Sequence, residues 1–315
     1  MGAALALAER ARPSSGPNPN VGCVIIANGR VVGRGWTQAG GRPHAEAVAL
    51  DSATDKSRGA TLYVTLEPCA HASARGPACA DRIIALGVAR VVIGMVDPDP
   101  RTAGAGIARM RDAGITVAFG FREAECAAVM AGFVSRHRFG RPHVTLKLAL
   151  SIDGAAAMAS GASQWITGAT ARAHAHLVRA RSDAILVGRG TLAVDAPRLD
   201  VRLAGLDQCN PTRVLLSTTH SPPASWMAIR SPYDVKTLAV DWLLVEGGMA
   251  TAAAFLAEDL IDTLLVYRAP ILIGGGRTLG DIGLSDLAAA LGRWRIADSR
   301  RLGSDRLDVY QRMRD

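Results

Sequence analysis

An α/β fold in two domains is what three observations on this sequence predict. The chain has 315 residues, more than a single core of ordinary size needs. Apolar β-branched runs alternate with helix-like stretches from end to end. At 138-RFGRPHV-144, Gly and Pro interrupt that alternation before a new strand begins, so the expected domains are 1–140 and 141–315.

Each element has its own reason. Residues 3–11 read as a short helix. In 21-VGCVIIANGRVVGRGW-36, two β-branched runs flank Asn28-Gly29, a strong two-residue turn signal, so a hairpin is expected. A helix from about His44 precedes the strand 60-ATLYVTLEP-68, which Pro68 stops. The helix 79-CADRIIALGV-88, the strand 89-ARVVIGMVDPDP-100, a helix and strand within 104–120, and a closing helix over 122–140 complete a mixed-sheet first half. Beyond the boundary come the strand 143-HVTLKLALSIDG-154, a helix from about Thr170, and the strands 184-AILVG-188 and 212-TRVLLSTT-219. A Pro/Ser loop at 221–232 leads to the strand 242-WLLVEGG-248, the helix 250-ATAAAFLAEDL-260 and the strand 263-TLLVYRAPIL-272. A Gly-rich loop at 274–276 and a strand near 306–311 end the chain.

Composition narrows the function classes. A hydrophobic content of 49% with 20% charged residues describes a globular protein that folds by burying apolar surface. The net charge of +8 comes from dispersed arginines, without a dense basic block or aromatic interleaving, so a nucleic-acid partner is not expected. Phosphorylated small molecules attract arginine equally well. Five irregularly spaced cysteines make no disulfide framework and fit a reduced, cytoplasmic setting. The N-terminal apolar run is short and lacks a preceding basic region, Ala6 stands where myristoylation needs Ser or Thr, and no apolar stretch spans a bilayer, so no membrane association is expected.

The chemistry begins at 42-RPHAEAVAL-50, where His44 and Glu46 are one residue apart. Cys69 and Cys79 follow in 65-TLEPCAHASARGPAC-79. A catalytic zinc takes three protein ligands and keeps a fourth position open, and one His with two Cys supplies such a set. Glu46, near His44 but off the metal, stands where a proton carrier belongs. H-x-E followed by P-C-x-x-C marks nucleobase deaminases. Here the second cysteine comes ten positions after Cys69 instead of three, and His71 is a competing ligand. A lone His or Cys is more often a core residue; the ordered set of four argues for zinc. In the second half, Gly247 and Gly248 sit between a strand and a helix, where backbone N–H groups receive phosphates, although a plain turn reads the same way.

Taken together, 17-PNPNVGCVII-26, 33-GRGW-36, 43-PHAEAVAL-50, 63-YVTLEPCAH-71, 89-ARVVIGMVDPDP-100, 163-SQWITG-168 and 245-VEGG-248 resemble the bifunctional riboflavin biosynthesis deaminase/reductase family, over nearly the whole chain. The resemblance implies an N-terminal cytidine-deaminase-like three-layer domain and a C-terminal dihydrofolate-reductase-like domain. It implies zinc on His44, Cys69 and Cys79, Glu46 as general acid/base, and Asn18 on the pyrimidine, with His71 merely lining the pocket. For the second half it implies NADPH at Ala149, Trp165, Thr191, Asp195, Thr218 and Gly248, and substrate at Ser163, Arg179, Leu199, Arg202 and Glu246. Arg179 and Arg202 are expected on the ribose 5-phosphate, because guanidinium groups bind phosphate oxygens bidentately. The implied reactions are deamination of a diamino-pyrimidinone ribosyl phosphate and then reduction of the ribosyl group to ribityl. Family analogy adds a homo-oligomer, at least a dimer.

The sequence departs from the family in three places. Loop 70–78 is one residue longer, Ala155 replaces a basic residue after Asp153-Gly154, and the connection from Thr218 to Glu246 is short. That shortening removes a helix that covers the sheet, so exposed apolar sheet surface is expected unless a rearranged loop or a partner hides it. The rival readings are a deaminase with an inactive, shortened reductase half, a deaminase of another nucleobase such as an RNA-editing enzyme, and a zinc-bearing scaffold without activity.

Overall fold

The computed structural model describes residues 1–12, 14–71 and 75–314, and the chain divides into two compact units, Met1–Gly140 and Arg141–Asp315. The first unit runs α1 (Gly2–Ala11), β1 (Gly22–Ala27), β2 (Arg30–Trp36), α2 (Ala45–Ala53), β3 (Thr61–Leu66), α3 (Cys79–Ala85), β4 (Arg90–Met95), α4 (Ala105–Asp112), β5 (Thr116–Ala118), α5 (Glu123–Val129) and α6 (Ala131–Phe139). Its sheet has the order β2-β1-β3-β4-β5. The hairpin pairs antiparallel, with Asn28 and Gly29 at the positive φ values of 49° and 73° that its turn demands. β3, β4 and β5 are parallel, and β4 is buried over nearly its whole length, as a strand covered on both faces must be. Helices α1 and α5 pack together, as do α2, α3 and α4, which gives three layers.

Two glycines of β2 set the position of α2. A Cβ at Gly33 would lie 2.2 Å from the Ala49 carbonyl oxygen, and one at Gly35 would lie 2.1 Å from that of Ala45. Their missing side chains let the helix backbone rest directly on the strand, and that helix carries His44 and Glu46.

The helix expected over 122–140 is broken at Met130, whose backbone (φ −108°, ψ 23°) leaves the helical region. Buried Asn20 bonds to the chain at this break. Its amide donates to the carbonyl of Val129 at 2.9 Å and to that of Ala8 at 3.1 Å, taking an acceptor that a continuous helix would use itself.

The second unit runs β6 (His143–Leu150), α7 (Ala169–Ala180), β7 (Ala184–Gly188), α8 (Arg189–Asp195), β8 (Thr212–Leu216), β9 (Met227–Ile229), β10 (Trp242–Val245), α9 (Met249–Ala257), β11 (Thr263–Arg268), β12 (Trp294–Leu302) and β13 (Asp305–Arg312). Its eight strands are ordered β12-β13-β11-β6-β10-β7-β8-β9. All are parallel from β11 to β9, and β13 is antiparallel to both β11 and β12. β10 returns between β6 and β7, and β11 then pairs on the far side of β6, so the winding reverses there. A reversal of this kind opens a crevice at the carboxyl ends of the strands.

The short connection from Thr218 to Glu246 still covers the core side of the sheet, although Met227 of β9 stays 41% exposed. β9 extends the edge beside β8, and a two-turn 3-10 segment, Pro232–Thr237, folds back over the core. Ser231 and Asp234 cap this segment reciprocally: Tyr233 N donates to Ser231 Oγ at 3.3 Å, and Ser231 N donates to Asp234 Oδ2 at 2.9 Å. Ile229, Val235 and Leu238 are thereby buried in the same apolar cluster as Val144, Leu186, Val214 and Leu243. A loop and a short helical segment, not a long helix, cover this part of the core.

Candidate active sites

In the first unit, three elements bring the sulfur and nitrogen donors together. His44 is the residue that opens α2, Cys79 is the first residue of α3, and Cys69 follows β3. His44 Nδ1 is 3.6 Å from Cys69 Sγ and 3.4 Å from Cys79 Sγ, and all three donor atoms lie within 4.8 Å of one another. The cysteine pair shares one negative charge. Hydrogen bonding from Cys79 and His44 holds the Cys69 thiol down at about 4, whereas Cys79, bonded to that thiolate and buried, is pushed well up. A converging imidazole and two sulfurs, one already anionic, is a donor set that fits zinc. His71 is turned to Thr102 Oγ1 at 3.3 Å and is outside this cluster.

Glu46 is 4% exposed, and burial pushes its carboxyl above the ordinary range despite the opposing pull of His44. Burial pulls His44 down, but its bond to Cys69 and the negative charge of Glu46 outweigh that and raise it. Asn18 places its amide nitrogen 2.8 Å from the Gly41 carbonyl and 3.0 Å from His44 Nε2. Glu67, next to Pro68 and Cys69, was not singled out in the sequence. It accepts from the backbone amides of Asp97 at 3.2 Å, Gly104 at 2.9 Å and Ile107 at 3.1 Å, and so fastens the loop after β4 beside the cysteines. In loop 70–78, residues 72–74 lie outside the described residues.

In the second unit, a cavity of about 460 Å³ opens at the carboxyl ends of β6, β10 and β7. Ala149, Ser163, Trp165, Arg179, Thr191, Asp195, Leu199, Arg202, Glu246 and Gly248 all line it. Thr218 does not: it stands exposed beyond the end of β8. Helix α9 begins at this cavity, and Gly248 N donates to Thr191 Oγ1 at 3.0 Å. The neighbouring glycines have a packing reason too. A Cβ at Gly188 would stand 2.2 Å from Thr251 Oγ1, and one at Gly247 would stand 2.5 Å from Thr251 Cβ. Trp165 is 64% exposed, with the Arg172 guanidinium 4.8 Å from its ring centre, so it forms a flat, open wall. Leu199 packs its side chain with Ile185, Val187 and Leu244, so a ligand would meet its backbone, held at a φ of 55°.

The two arginines differ from expectation. Arg179 already forks onto Glu246, Nε to Oε1 at 2.8 Å and Nη2 to Oε2 at 2.9 Å, and its Nη1 donates to the Asp200 carbonyl at 3.0 Å. Burial pushes Glu246 up, yet Arg179 and Lys147 hold it below the ordinary glutamate range. Arg179 therefore has no free fork for a phosphate. Arg202 spends Nε on Asp200, at 2.9 Å, is half exposed, and among the described residues keeps both terminal nitrogens for an anion. Sequence reasoning passed over Lys147, 3.9 Å from Glu246, and His176. Lys147 lies two residues before Ala149 on one strand face, and His176 one helical turn before Arg179, so both periodicities pointed to them.

Residues 1–95 match the cytidine and deoxycytidylate deaminase zinc-binding region, and residues 142–232 and 233–307 match the RibD C-terminal domain. The chain is 39% identical to riboflavin biosynthesis protein RibD of Escherichia coli K12, covering 97% of this chain and 96% of that one. It is 40% identical to the RibD of Mycobacterium tuberculosis H37Rv over 98% and 95% of the two chains. A solved deaminase/reductase from Thermotoga maritima superimposes with a TM-score of 0.90 at 32% identity, covering 99% of this chain and 97% of that one. With both halves matched and the relatives covered almost end to end, this chain belongs to the RibD family of bifunctional riboflavin biosynthesis enzymes.

Proposed function

We infer that the first unit carries the deaminase of this riboflavin biosynthesis enzyme and the second its NADPH-dependent reductase, with the site residues in the roles below. The observation that carries the reading is the convergence of His44 Nδ1 and two cysteine sulfurs within 4.8 Å, beside the buried carboxyl of Glu46. When bound there, zinc supplies a water whose pKa falls toward about 7. Glu46, its carboxyl raised by burial, takes a proton and returns it to the amino nitrogen that leaves the pyrimidine. The Asn18 amide, beside His44, hydrogen-bonds the pyrimidine and orients it.

NADPH, when bound, supplies the hydride delivered to C1 of the ribosyl chain. This chain's part is to hold the two reactants in line: Trp165, Thr191, Asp195 and the α9 terminus at Gly248 toward the cofactor, Arg202 toward the substrate phosphate, and Ser163 toward the sugar. The substrate of the first step is 2,5-diamino-6-(5-phosphoribosylamino)pyrimidin-4-one.

A homo-oligomer is supported by the exposed large apolar side chains within 272–296: Leu272, Leu284, Leu287, Leu291 and Ile296. A reducing, cytoplasmic location is supported by five cysteines that are all free thiols.

The test measures zinc content and both half-reactions on purified protein, with Glu46→Gln beside it. The expected result is one zinc per chain in both proteins, a deamination rate reduced about 10²–10⁴-fold in Glu46→Gln, and intact NADPH oxidation with the deaminated substrate. An undiminished deamination rate in the variant would remove Glu46 from the mechanism.

A further inference from the structure

His176 has no role in the account above, yet it lines the reductase cavity beside Arg179, from the same face of α7. Its Nδ1 lies 3.1 Å from the carbonyl oxygen of Asp200, the oxygen that also takes Arg179 Nη1. The Arg202 amide nitrogen lies 3.3 Å from the same Nδ1, and one ring nitrogen cannot both donate and accept. The Asp200 carbonyl is part-buried, where a facing lone pair would be repelled, whereas the Arg202 amide is exposed and has water as an alternative. The proton therefore sits on Nδ1, and Nε2 presents a lone pair. Among the described residues nothing bonds to Nε2. Burial and the neighbouring Arg179 charge both lower the pKa of this imidazole, which keeps it neutral.

The cavity has few uncommitted side-chain acceptors, Asp195 and the Ser163 hydroxyl among them, and His176 adds one. Lys147, Arg172, Arg179 and Arg202 make its wall rich in donors, and the Glu246 oxygens are already committed to Arg179. A phosphate is satisfied by donors, but the hydroxyls of a ribosyl chain also require an acceptor. We propose that His176 Nε2 accepts a hydrogen bond from a ribosyl hydroxyl and thereby positions the sugar of the reductase substrate. This rests on the reading of the second unit as the ribosyl reductase.

The experiment compares wild type, His176→Ala and His176→Gln with the deaminated ribosyl substrate and its 2-deoxyribosyl and 3-deoxyribosyl analogues. His176→Ala is expected to lower reductase kcat/KM roughly three- to tenfold, mostly through KM, with the deamination rate unchanged. His176→Gln, which returns an acceptor, is expected to recover most of the loss. Wild type should discriminate against one analogue by a similar factor, and His176→Ala should not, a coupling that a purely structural role would not produce. An unchanged kcat/KM in His176→Ala, or equal discrimination in both proteins, overturns the proposal. Failure of the wild type to reduce the ribosyl substrate at all would instead overturn the reductase reading on which it rests.

Discussion

Arg179 and Glu246 meet edge to edge, 2.8 Å and 2.9 Å apart at their two contacts, from the helix after β6 and the end of β10. Each side chain is largely buried, 15% and 7% exposed, and although both line the cavity, each relies mainly on the other as its charge partner. Glu246→Ala is expected to cost about 3–5 kcal/mol of stability in the second unit, because it strands the guanidinium. Arg179→Lys keeps a charge but loses the fork, and is expected to fall between the two. Thermal unfolding checks the stability, and NADPH oxidation should drop in the same order.

Chelation separates the two activities. Stripping the protein with a zinc chelator is expected to abolish deamination and to leave reduction of the deaminated substrate unchanged. Cys69→Ala and Cys79→Ala should behave as the stripped protein does, since each removes one of three ligands. The check is metal content by elemental analysis, alongside separate assays of the half-reactions.

Asp262 gives the second unit a pH dependence of known sign. Burial pushes its carboxyl up, but the Arg141 fork, at 2.6 Å and 2.9 Å, together with His143 and the Val144 amide, holds it below the ordinary aspartate value. A depressed pKa means that the stabilisation is complete above the unfolded value of about 3.9 and disappears as pH falls through the lower folded value. Asp262→Asn should therefore unfold at a lower temperature than wild type at pH 6, with the gap closing below about pH 4. Melting curves across that range test it, and a gap independent of pH would contradict the assignment.

The short helical segment at Pro232–Thr237 should bear weight. Leu238 is 1% exposed, so Leu238→Ala is expected to cost about 2–5 kcal/mol through lost burial and the cavity left behind. Ser231→Ala, which removes one half of the reciprocal cap, should cost about 1 kcal/mol. Denaturant unfolding distinguishes the two.

What could be read from the sequence follows from where its signals were strong. The hairpin was legible because Asn28-Gly29 admits few other conformations, and β4, β7 and β10 because continuous apolar runs bounded by turns have few alternatives. The cluster of His44, Cys69 and Cys79 was legible because these three and Glu46 keep their order along the chain. β9 was hidden because three residues carry no period. β12 was hidden because its residues are mostly exposed and show no alternation, and α8 because none of its residues is buried. At the break near Met130 the chain bonds to Asn20, more than a hundred positions away, which no local pattern contains. The engagement of Arg179 with Glu246 spans 67 positions and was hidden for the same reason.

The crowding around Thr251 has a consequence for how this sequence can drift. A methyl group at position 188 collides only with the Thr251 hydroxyl oxygen; its next neighbour, Thr251 Cβ, is an ordinary 3.6 Å away. Thr251→Ala thus opens a path to Gly188→Ala that is closed in the present background. At position 247 the collision is with Thr251 Cβ itself, which alanine retains, so no such path opens. Of these two glycines, one is held by the Thr251 hydroxyl alone and the other by the Cβ that every residue but glycine would keep there.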